Sequence, residues 1–225
     1  MNRRELVTAS AAALAAAPAL AQSLPPLPAS KMIKVAFLLG DNANVIDTAG
    51  PWEVFQDAMV MADGRHQHPF FPFTVAPTLE PVRMTGGLLV QPAYSIDTVP
   101  QPDVIVVPAQ RSTEASRAWL RAASDKAHLT MSVCTGAFQL GRIGLLDGLP
   151  ATTHHDFFDD FQKEFPKVSL QRGPRFVDTG RIATAGGLTS GIDLALHVVG
   201  RYFGPEVRKA TARYLEHAGG DWRQA

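Results

Sequence analysis

Short runs of consecutive hydrophobic residues alternate with amphipathic segments over most of the 225-residue chain. Apolar runs of about four to eight residues are typical of strands buried on both faces of a sheet, and apolar positions three and four apart are typical of helices packed on it. Strands are predicted at 32–39, 70–76, 88–92, 103–107, 129–133, 150–153, 175–177 and 181–184, and helices at 51–61, 112–123, 136–146, 191–202 and 205–217. This alternation predicts an α/β fold in which a parallel sheet carries helices on both faces.

The first thirty residues are predicted to lie outside this fold. Arg3 and Arg4 precede an Ala-rich apolar stretch, and Ala-Leu-Ala at 19–21 fits a signal-peptide cleavage site. The paired arginines favour twin-arginine export to the periplasm, with a signal for unfolded export or an uncleaved anchor as alternatives. Residues 1–21 are therefore predicted to be an export signal, residues 22–30 a Pro-rich linker and residues 31–225 a single domain.

The charge balance excludes several kinds of partner. The chain has 21 Lys and Arg against 21 Asp and Glu, so its formal net charge is zero. Such a chain has no strong field to attract nucleic acid or an anionic membrane surface, and no helix-turn-helix pattern follows the α/β segment. We expect a small-molecule substrate or ligand, no nucleic-acid partner, and no membrane attachment once the signal is removed.

A single cysteine, Cys134, excludes an internal disulfide. It lies between the strand predicted at 129–133 and the helix predicted from Gly136, which is the position of a nucleophile elbow at the carboxyl end of a sheet. There the amide of Thr135 would be an oxyanion donor, Gly136 would keep the turn open, and the start of the helix would lower the thiol pKa. A buried structural cysteine is the alternative.

Other polar residues are predicted to reach the same edge of the sheet. Asp47 follows the first strand and could exchange a proton with the thiol or with a bound water, although it could also cap the helix predicted at Pro51. His154 and His155 follow the short strand at 150–153, and an imidazole there could stabilise the thiolate or shuttle a proton. Adjacent strand positions point to opposite faces, and no spacing typical of zinc occurs, so no metal site is expected.

Five motifs, in order, resemble the ThiJ/PfpI superfamily. They are DTAGPWEVF at 47–55, DVIVVP at 103–108, CTGAFQLGRIGLLDG at 134–148, ATTHH at 151–155 and RIATAGGLTSGIDLALH at 181–197. The resemblance spans roughly residues 32–204 and implies a flavodoxin-like, class I glutamine-amidotransferase-like fold. Two branches fit best: the isonitrile hydratases, which hydrate an isocyanide to an N-substituted formamide, and the ligand domains of AraC-type regulators.

The resemblance implies roles for particular residues. Cys134 matches the nucleophile, Asp47 the acidic partner in the hydratase branch, and Thr135 the pocket residue after the nucleophile. His154 matches a histidine of several branches, among them the parkinsonism-associated deglycase, and His155 would line the pocket beside it. The resemblance also implies a homodimer that needs no cofactor.

The chain departs from the superfamily pattern after the strand at 103–107. A Gly-Gly pair that helps to form the oxyanion hole is usual there, and this chain has Ala109 and Gln110. Both residues still have amides, but they resist the positive φ that glycine adopts readily. The second oxyanion donor is therefore in doubt, and the side chains of Gln110 and Arg111 could line the pocket instead.

These residues favour a cysteine-dependent lyase of the isonitrile hydratase type. Cys134 would attack the substrate carbon, and Asp47 would transfer protons. Two alternatives stay open. One is another cysteine chemistry that uses His154, such as amide hydrolysis or deglycation. The other is a non-catalytic periplasmic ligand or redox sensor with the same fold.

Overall fold

The structure, a computed structural model, describes residues 24–29 and 32–217. The predicted export signal therefore lies outside the described residues. The strands are β1 (Ile33–Leu38), β2 (Val60–Ala62), β3 (Arg65–Gln67), β4 (Phe70–Ala76), β5 (Val82–Arg83), β6 (Leu89–Val90), β7 (Tyr94–Ser95), β8 (Val104–Val107), β9 (Leu129–Val133), β10 (Pro150–Ala151), β11 (Ser169–Leu170), β12 (Phe176–Asp178) and β13 (Ile182–Ala185). The α-helices are α1 (Val45–Asp57), α2 (Glu114–Ser124), α3 (Gly136–Arg142), α4 (Phe158–Glu164), α5 (Ser190–Phe203) and α6 (Pro205–Tyr214), and short 3₁₀ turns cover Thr85–Gly87 and His155–Phe157.

Seven strands form the main sheet, in the order β12-β13-β9-β8-β1-β4-β7. Its neighbouring strands are parallel except for β12 and β13, which form an antiparallel hairpin. Successive side chains enter opposite cores: Val35 and Phe37 pack with α1 and α5, and Ala36 and Leu38 pack with α2 and α3. The predicted α/β fold with helices on both faces is therefore confirmed.

The order of the sheet decides where polar groups can meet. Strands β1, β8, β9 and β13 are adjacent and parallel, so their carboxyl ends share one edge. The segments that follow them contain Asn44, Ala109, Cys134 and Gly186. Reactive groups in open α/β sheets gather at such an edge.

Helix α1 begins at Val45, so the prediction that Pro51 starts this helix is wrong. Asn44 caps it, because its Oδ1 accepts hydrogen bonds from the backbone N–H groups of Ile46 (3.1 Å) and Asp47 (3.3 Å). Asp47 thus lies in the first turn and is not the cap. Pro51 lies inside the helix, where it removes one main-chain hydrogen bond. The predicted end at Met61 is also wrong, because residues 60–62 form β2.

Two helices end earlier than predicted, both in a Schellman motif. In α3, the N–H of Gly144 (φ +72°) bonds to Gly141 O, and the N–H of Leu145 bonds to Leu140 O. In α6, a residue of positive φ again follows the last turn, and the helix ends at Tyr214. The predicted end signal at Gly219 lies outside the described residues.

The segment at 88–92, predicted to be one strand, also differs from its prediction. Only Leu89–Val90 is a strand, and it pairs with β5 in a hairpin separate from the main sheet. The periodicity of a short apolar run does not distinguish a buried strand from a half-exposed hairpin.

Residues 24–29, within the predicted linker, lie against helix α5. Leu27 is buried, and its N–H donates to the Arg201 carbonyl over 3.2 Å. The Arg201 guanidinium donates in turn to the Pro25 carbonyl over 3.3 Å. Among the described residues, no helix is both long and apolar enough to cross a membrane.

Candidate functional site

Cys134 lies on a sharp turn between β9 and α3, with a left-handed φ of +58°. Its N–H donates to the carbonyls of Gly186 (2.8 Å) and Ala185 (3.2 Å), and its own carbonyl accepts from Thr153 Oγ1 (2.9 Å). A non-glycine residue in this conformation costs on the order of 1–3 kcal/mol and persists where its surroundings hold it. The turn therefore has the geometry of a nucleophile elbow.

Gly136 brings this elbow against the end of β8. A Cβ at this position would lie 2.1 Å from the Val107 carbonyl oxygen and 3.0 Å from that of Pro108. A side chain here would push α3 away from the strand. Glycine therefore holds Cys134 next to the segment that contains Ala109.

The Asp47 carboxyl is fully buried at this edge. Its Oδ2 accepts a hydrogen bond from the Ala109 N–H (3.1 Å), and its Oδ1 has no partner of ordinary hydrogen-bond geometry. Burial raises the pKa of Asp47 from 3.8 to about 6, although the N–H groups of Ala109 and Leu188 and the Cys134 thiol act to lower it. Asp47 therefore changes protonation near pH 6, and the Leu188 N–H and the Cys134 thiol both face its carboxyl group.

Burial and the charge of Asp47 raise the pKa of the Cys134 thiol to about 12, and weaker hydrogen bonding from Thr135 opposes them. The Thr135 N–H at the start of the helix does lower this pKa, as expected, but burial and the Asp47 charge outweigh it, so the net shift is upward. Helix α3 has only seven residues, and Cys134 is buried, at 6% exposed, beside a carboxylate. The sulfur is a neutral thiol at neutral pH, and the backbone and side chain of Thr135 face it.

The two residues at the position of the family Gly-Gly pair already have partners. The Ala109 N–H donates to Asp47, so it could act as an oxyanion donor only after leaving that carboxylate. The Gln110 side chain is fixed to the end of β1, where its Nε2 donates to Leu38 O (2.8 Å) and its Oε1 accepts from the Gly40 N–H. Arg111 is exposed and pairs with Asp41 (3.4 Å).

His154 and His155 follow β10 in a 3₁₀ turn, not in a strand. Their rings stack 4.4 Å apart with an interplanar angle of 22°, so the argument that they point to opposite faces is wrong. The His154 ring lies against Gly187, where an added Cβ would be 2.0 Å from Cδ2, and its Nδ1 accepts from the Asp156 N–H (3.2 Å). Neither imidazole is among the groups that shift the pKa of Cys134.

A cavity of about 340 Å³ lies next to the elbow, although neither Cys134 nor Asp47 is among the residues that line it. Thr153 and Gly186, which bond the Cys134 backbone, both line it, as do the two histidines. The lining also includes Leu188, a residue that the sequence analysis missed. Leu188 has a φ of +55°, its side chain is 41% exposed, and its N–H lowers the pKa of Asp47. The Gly-Gly pair at 186–187 was the sequence signal for this turn.

A strained cysteine elbow, a buried carboxylate beside it and an adjoining cavity, all at the carboxyl edge of a parallel sheet, define a flavodoxin-like α/β protein with a cysteine-centred site. Residues 33–201 match the model of the DJ-1/PfpI family. The chain therefore belongs to the DJ-1/PfpI family, as its resemblance to ThiJ/PfpI proteins predicted.

Individual relatives have different activities. The isonitrile hydratase of Pseudomonas putida is 30% identical over 196 residues, which cover 83% of this chain and 79% of that protein. The HTH-type transcriptional regulator GbdR of Pseudomonas aeruginosa is also 30% identical over 183 residues, which cover 79% of this chain but only 49% of the regulator. A solved THiJ/PfpI family protein from Pseudomonas syringae has the same fold, with a TM-score of 0.74 and 22% identity over 92% of this chain and 84% of that one.

Proposed function

We propose that this protein is a cysteine-dependent lyase of the isonitrile hydratase type, which adds water to an isocyanide to give an N-substituted formamide. The observation that carries this proposal is the fully buried Asp47 carboxyl, which faces the Cys134 thiol and whose charge raises the pKa of that thiol. The 30% identity to an isonitrile hydratase supports it.

The raised pKa values of both groups suit the first step. Free thiolate is strongly disfavoured, so attack must be concerted with removal of the thiol proton by Asp47. An isocyanide, R–N≡C, takes both new bonds at its terminal carbon. The sulfur of Cys134 bonds to this carbon, the protonated Asp47 delivers the proton to it, and the product is the thioimidate R–N=CH–S–Cys.

Water completes the reaction. Asp47, again ionised, accepts a proton from water as the oxygen adds to the thioimidate carbon, and it passes this proton to the nitrogen, which gives R–NH–CH(OH)–S–Cys. The C–S bond then breaks as Asp47 moves the hydroxyl proton to the departing sulfur, and R–NH–CHO leaves. The N–H and hydroxyl of Thr135, which favour the ionised sulfur, would stabilise it as a leaving group.

The test is hydration of a panel of alkyl and aryl isocyanides, followed by NMR detection of the formamide. We expect turnover by the wild type, and loss of at least a hundredfold in Cys134→Ala and Asp47→Asn. Glu53→Gln is the matched control, because Glu53 is an exposed carboxyl on the same helix. If the wild type and Cys134→Ala were equally inactive on every isocyanide, the lyase proposal would be lost.

A non-catalytic ligand sensor is the second candidate. The neutral, buried thiol and the occupied Ala109 N–H support it, as does the similarity to an HTH-type regulator. A sensor would be stabilised against heat by its ligand without forming product. The neutral thiol also argues against a peroxide sensor, because the thiolate is the form that oxidises.

Hydrolysis or deglycation with His154 has less support. A histidine that activates Cys134 would stabilise the thiolate, but His154 is absent from the groups that shift this pKa. Its Nδ1 is bonded to the backbone of Asp156. An amidase or deglycase activity that His154→Ala abolishes and Asp47→Asn leaves intact would reverse this preference.

The setting of the protein is also part of the proposal. The N-terminal sequence supports export to the periplasm, and the family resemblance supports a homodimer. A second copy could cover the apolar hollow between α1 and the β5–β6 hairpin, which Trp52, Met84 and Leu88 line. Cell fractionation tests the location. Sedimentation equilibrium tests the dimer, and a monomer at tens of micromolar would contradict it.

A further inference from the structure

We propose that His154, His155 and Asp156 form a binding site for a divalent metal ion of the zinc class at the edge of the cavity beside Cys134. One ligand atom from each residue lies within 4.8 Å of the other two. His155 Nε2 is 3.2 Å from one Asp156 carboxylate oxygen, and His154 Nδ1 is 3.7 Å from the other. This site is independent of the proposed lyase activity.

These spacings suit a small tetrahedral ion. Zinc lies about 2.0–2.1 Å from imidazole nitrogen and carboxylate oxygen, so neighbouring ligand atoms in a tetrahedral site are about 3.3 Å apart. The two measured separations are within half an ångström of that spacing. His155 and Asp156 have exposed side chains, so small rotations can close the remaining gap.

The His154 ring is already prepared as a ligand. Its Nδ1 accepts a hydrogen bond from the Asp156 N–H, so this nitrogen carries a lone pair and no proton. Metal ligands must be in that state. The ring is held against Gly187 and stacked on His155, which reduces the entropy lost on binding. The metal would replace the 3.2 Å hydrogen bond at Nδ1.

The local charge also favours a cation. Over residues 156–164, four acidic residues stand against one basic residue, Lys163, and two of the four are paired with arginines outside the stretch: Asp159 with Arg172 and Glu164 with Arg142. The guanidinium groups that line the cavity have acidic partners, since Arg172 pairs with Asp159 and Arg175 with Asp193. Two imidazoles and one carboxylate select zinc-class ions over magnesium or calcium, which prefer oxygen ligands throughout.

Three protein ligands would leave the ion one open position. In zinc sites of this kind the fourth position is taken by water or by a bound molecule. Because both histidines line the cavity, the ion would bind a polar or anionic group of a molecule held in the cavity.

The test is calorimetric titration of the untagged mature protein with Zn²⁺, supported by the visible absorption of bound Co²⁺. We expect one ion per chain with micromolar affinity, weakened more than tenfold by His155→Gln and by Asp156→Asn. Both residues are exposed, so these variants should remain folded, which circular dichroism would check. His66→Gln is the control, since His66 and His68 are a second exposed histidine pair.

The expected pattern is loss of binding in the two site variants and none in the control. Three results would each overturn the proposal: no saturable Zn²⁺ binding by the wild type, unchanged binding in both site variants, or loss of binding in His66→Gln. The last result would assign the ion to the β2–β3 hairpin.

Discussion

Replacing Asp47 by Asn should stabilise the folded protein at neutral pH while removing the proposed proton carrier. The carboxyl is fully buried, and its pKa is raised from 3.8 to about 6. Above pH 6 the folded protein therefore holds an ionised group that burial disfavours. Asn keeps an oxygen that can accept the Ala109 N–H, and it carries no charge.

The size of the effect follows from the pKa difference. Each factor of ten in proton affinity corresponds to about 1.4 kcal/mol, so the rise to about 6 corresponds to about 3 kcal/mol of lost stability at high pH. The Asn amide would also face the Leu188 N–H, which costs part of this gain. We therefore expect Asp47→Asn to raise the free energy of unfolding by about 2 kcal/mol at pH 8.

The gain should depend on pH in one direction only. Below about pH 3.8 the carboxyl is protonated in both the folded and unfolded states, so its stabilising contribution is fully present and Asn offers no advantage. As the pH rises through 3.8 towards 6, only the unfolded state loses its proton, and the wild type loses stability. The advantage of Asn should therefore grow between these values and level off above pH 6.

Urea unfolding at a series of pH values measures this difference. With a slope of about 2 kcal/mol/M, the midpoint of Asp47→Asn should exceed that of the wild type by about 1 M at pH 8. Glu53→Gln, an exposed change on the same helix, should show almost no difference. A variant that is less stable than the wild type at pH 8, or a gain independent of pH, would refute the argument that burial disfavours the Asp47 charge.

Three further results are expected. Gly187→Ala should destabilise the protein by about 1–3 kcal/mol in urea unfolding, because its Cβ would overlap the His154 ring. The control Gly173→Ala places its Cβ in open space and should not destabilise the protein, so equal effects of the two changes would contradict this prediction. Iodoacetamide should alkylate Cys134 at least tenfold more slowly than free cysteine at pH 7.5, with a rate still rising at pH 10, and a plateau below pH 8 would show a low thiol pKa. Leu27→Ala should lower stability by about 2 kcal/mol if the segment at 24–29 packs on α5, and no change in the thermal midpoint would count against that packing.

The core of the fold was readable from the sequence because continuous apolar runs mark buried parallel strands. The run at 103–107 and the run at 129–133 both became central strands of the sheet. The start of α1 was misplaced because Pro51 is a strong local signal. The capping side chain of Asn44, seven residues earlier, outweighs it.

The site was only partly predictable for a different reason. Position on the sheet placed Cys134 and Asp47 at one edge, but it could not show how deeply each is buried. Burial and the neighbouring carboxylate outweigh the few amides at the start of α3, which reverses the expected direction of the thiol pKa. The role of Leu188 was also hidden, since it is the backbone of this residue that faces Asp47.

The raised pKa values of the cysteine and the aspartate bear on which chemistry this site can support. Amide hydrolysis by a cysteine needs a thiolate, and Cys134 is a neutral thiol whose pKa His154 does not lower. Addition to an isocyanide needs a sulfur and a proton at the same carbon, and a neutral thiol beside a carboxylate of pKa about 6 carries both. A site that keeps its proton until the substrate arrives is therefore better suited to hydration than to hydrolysis.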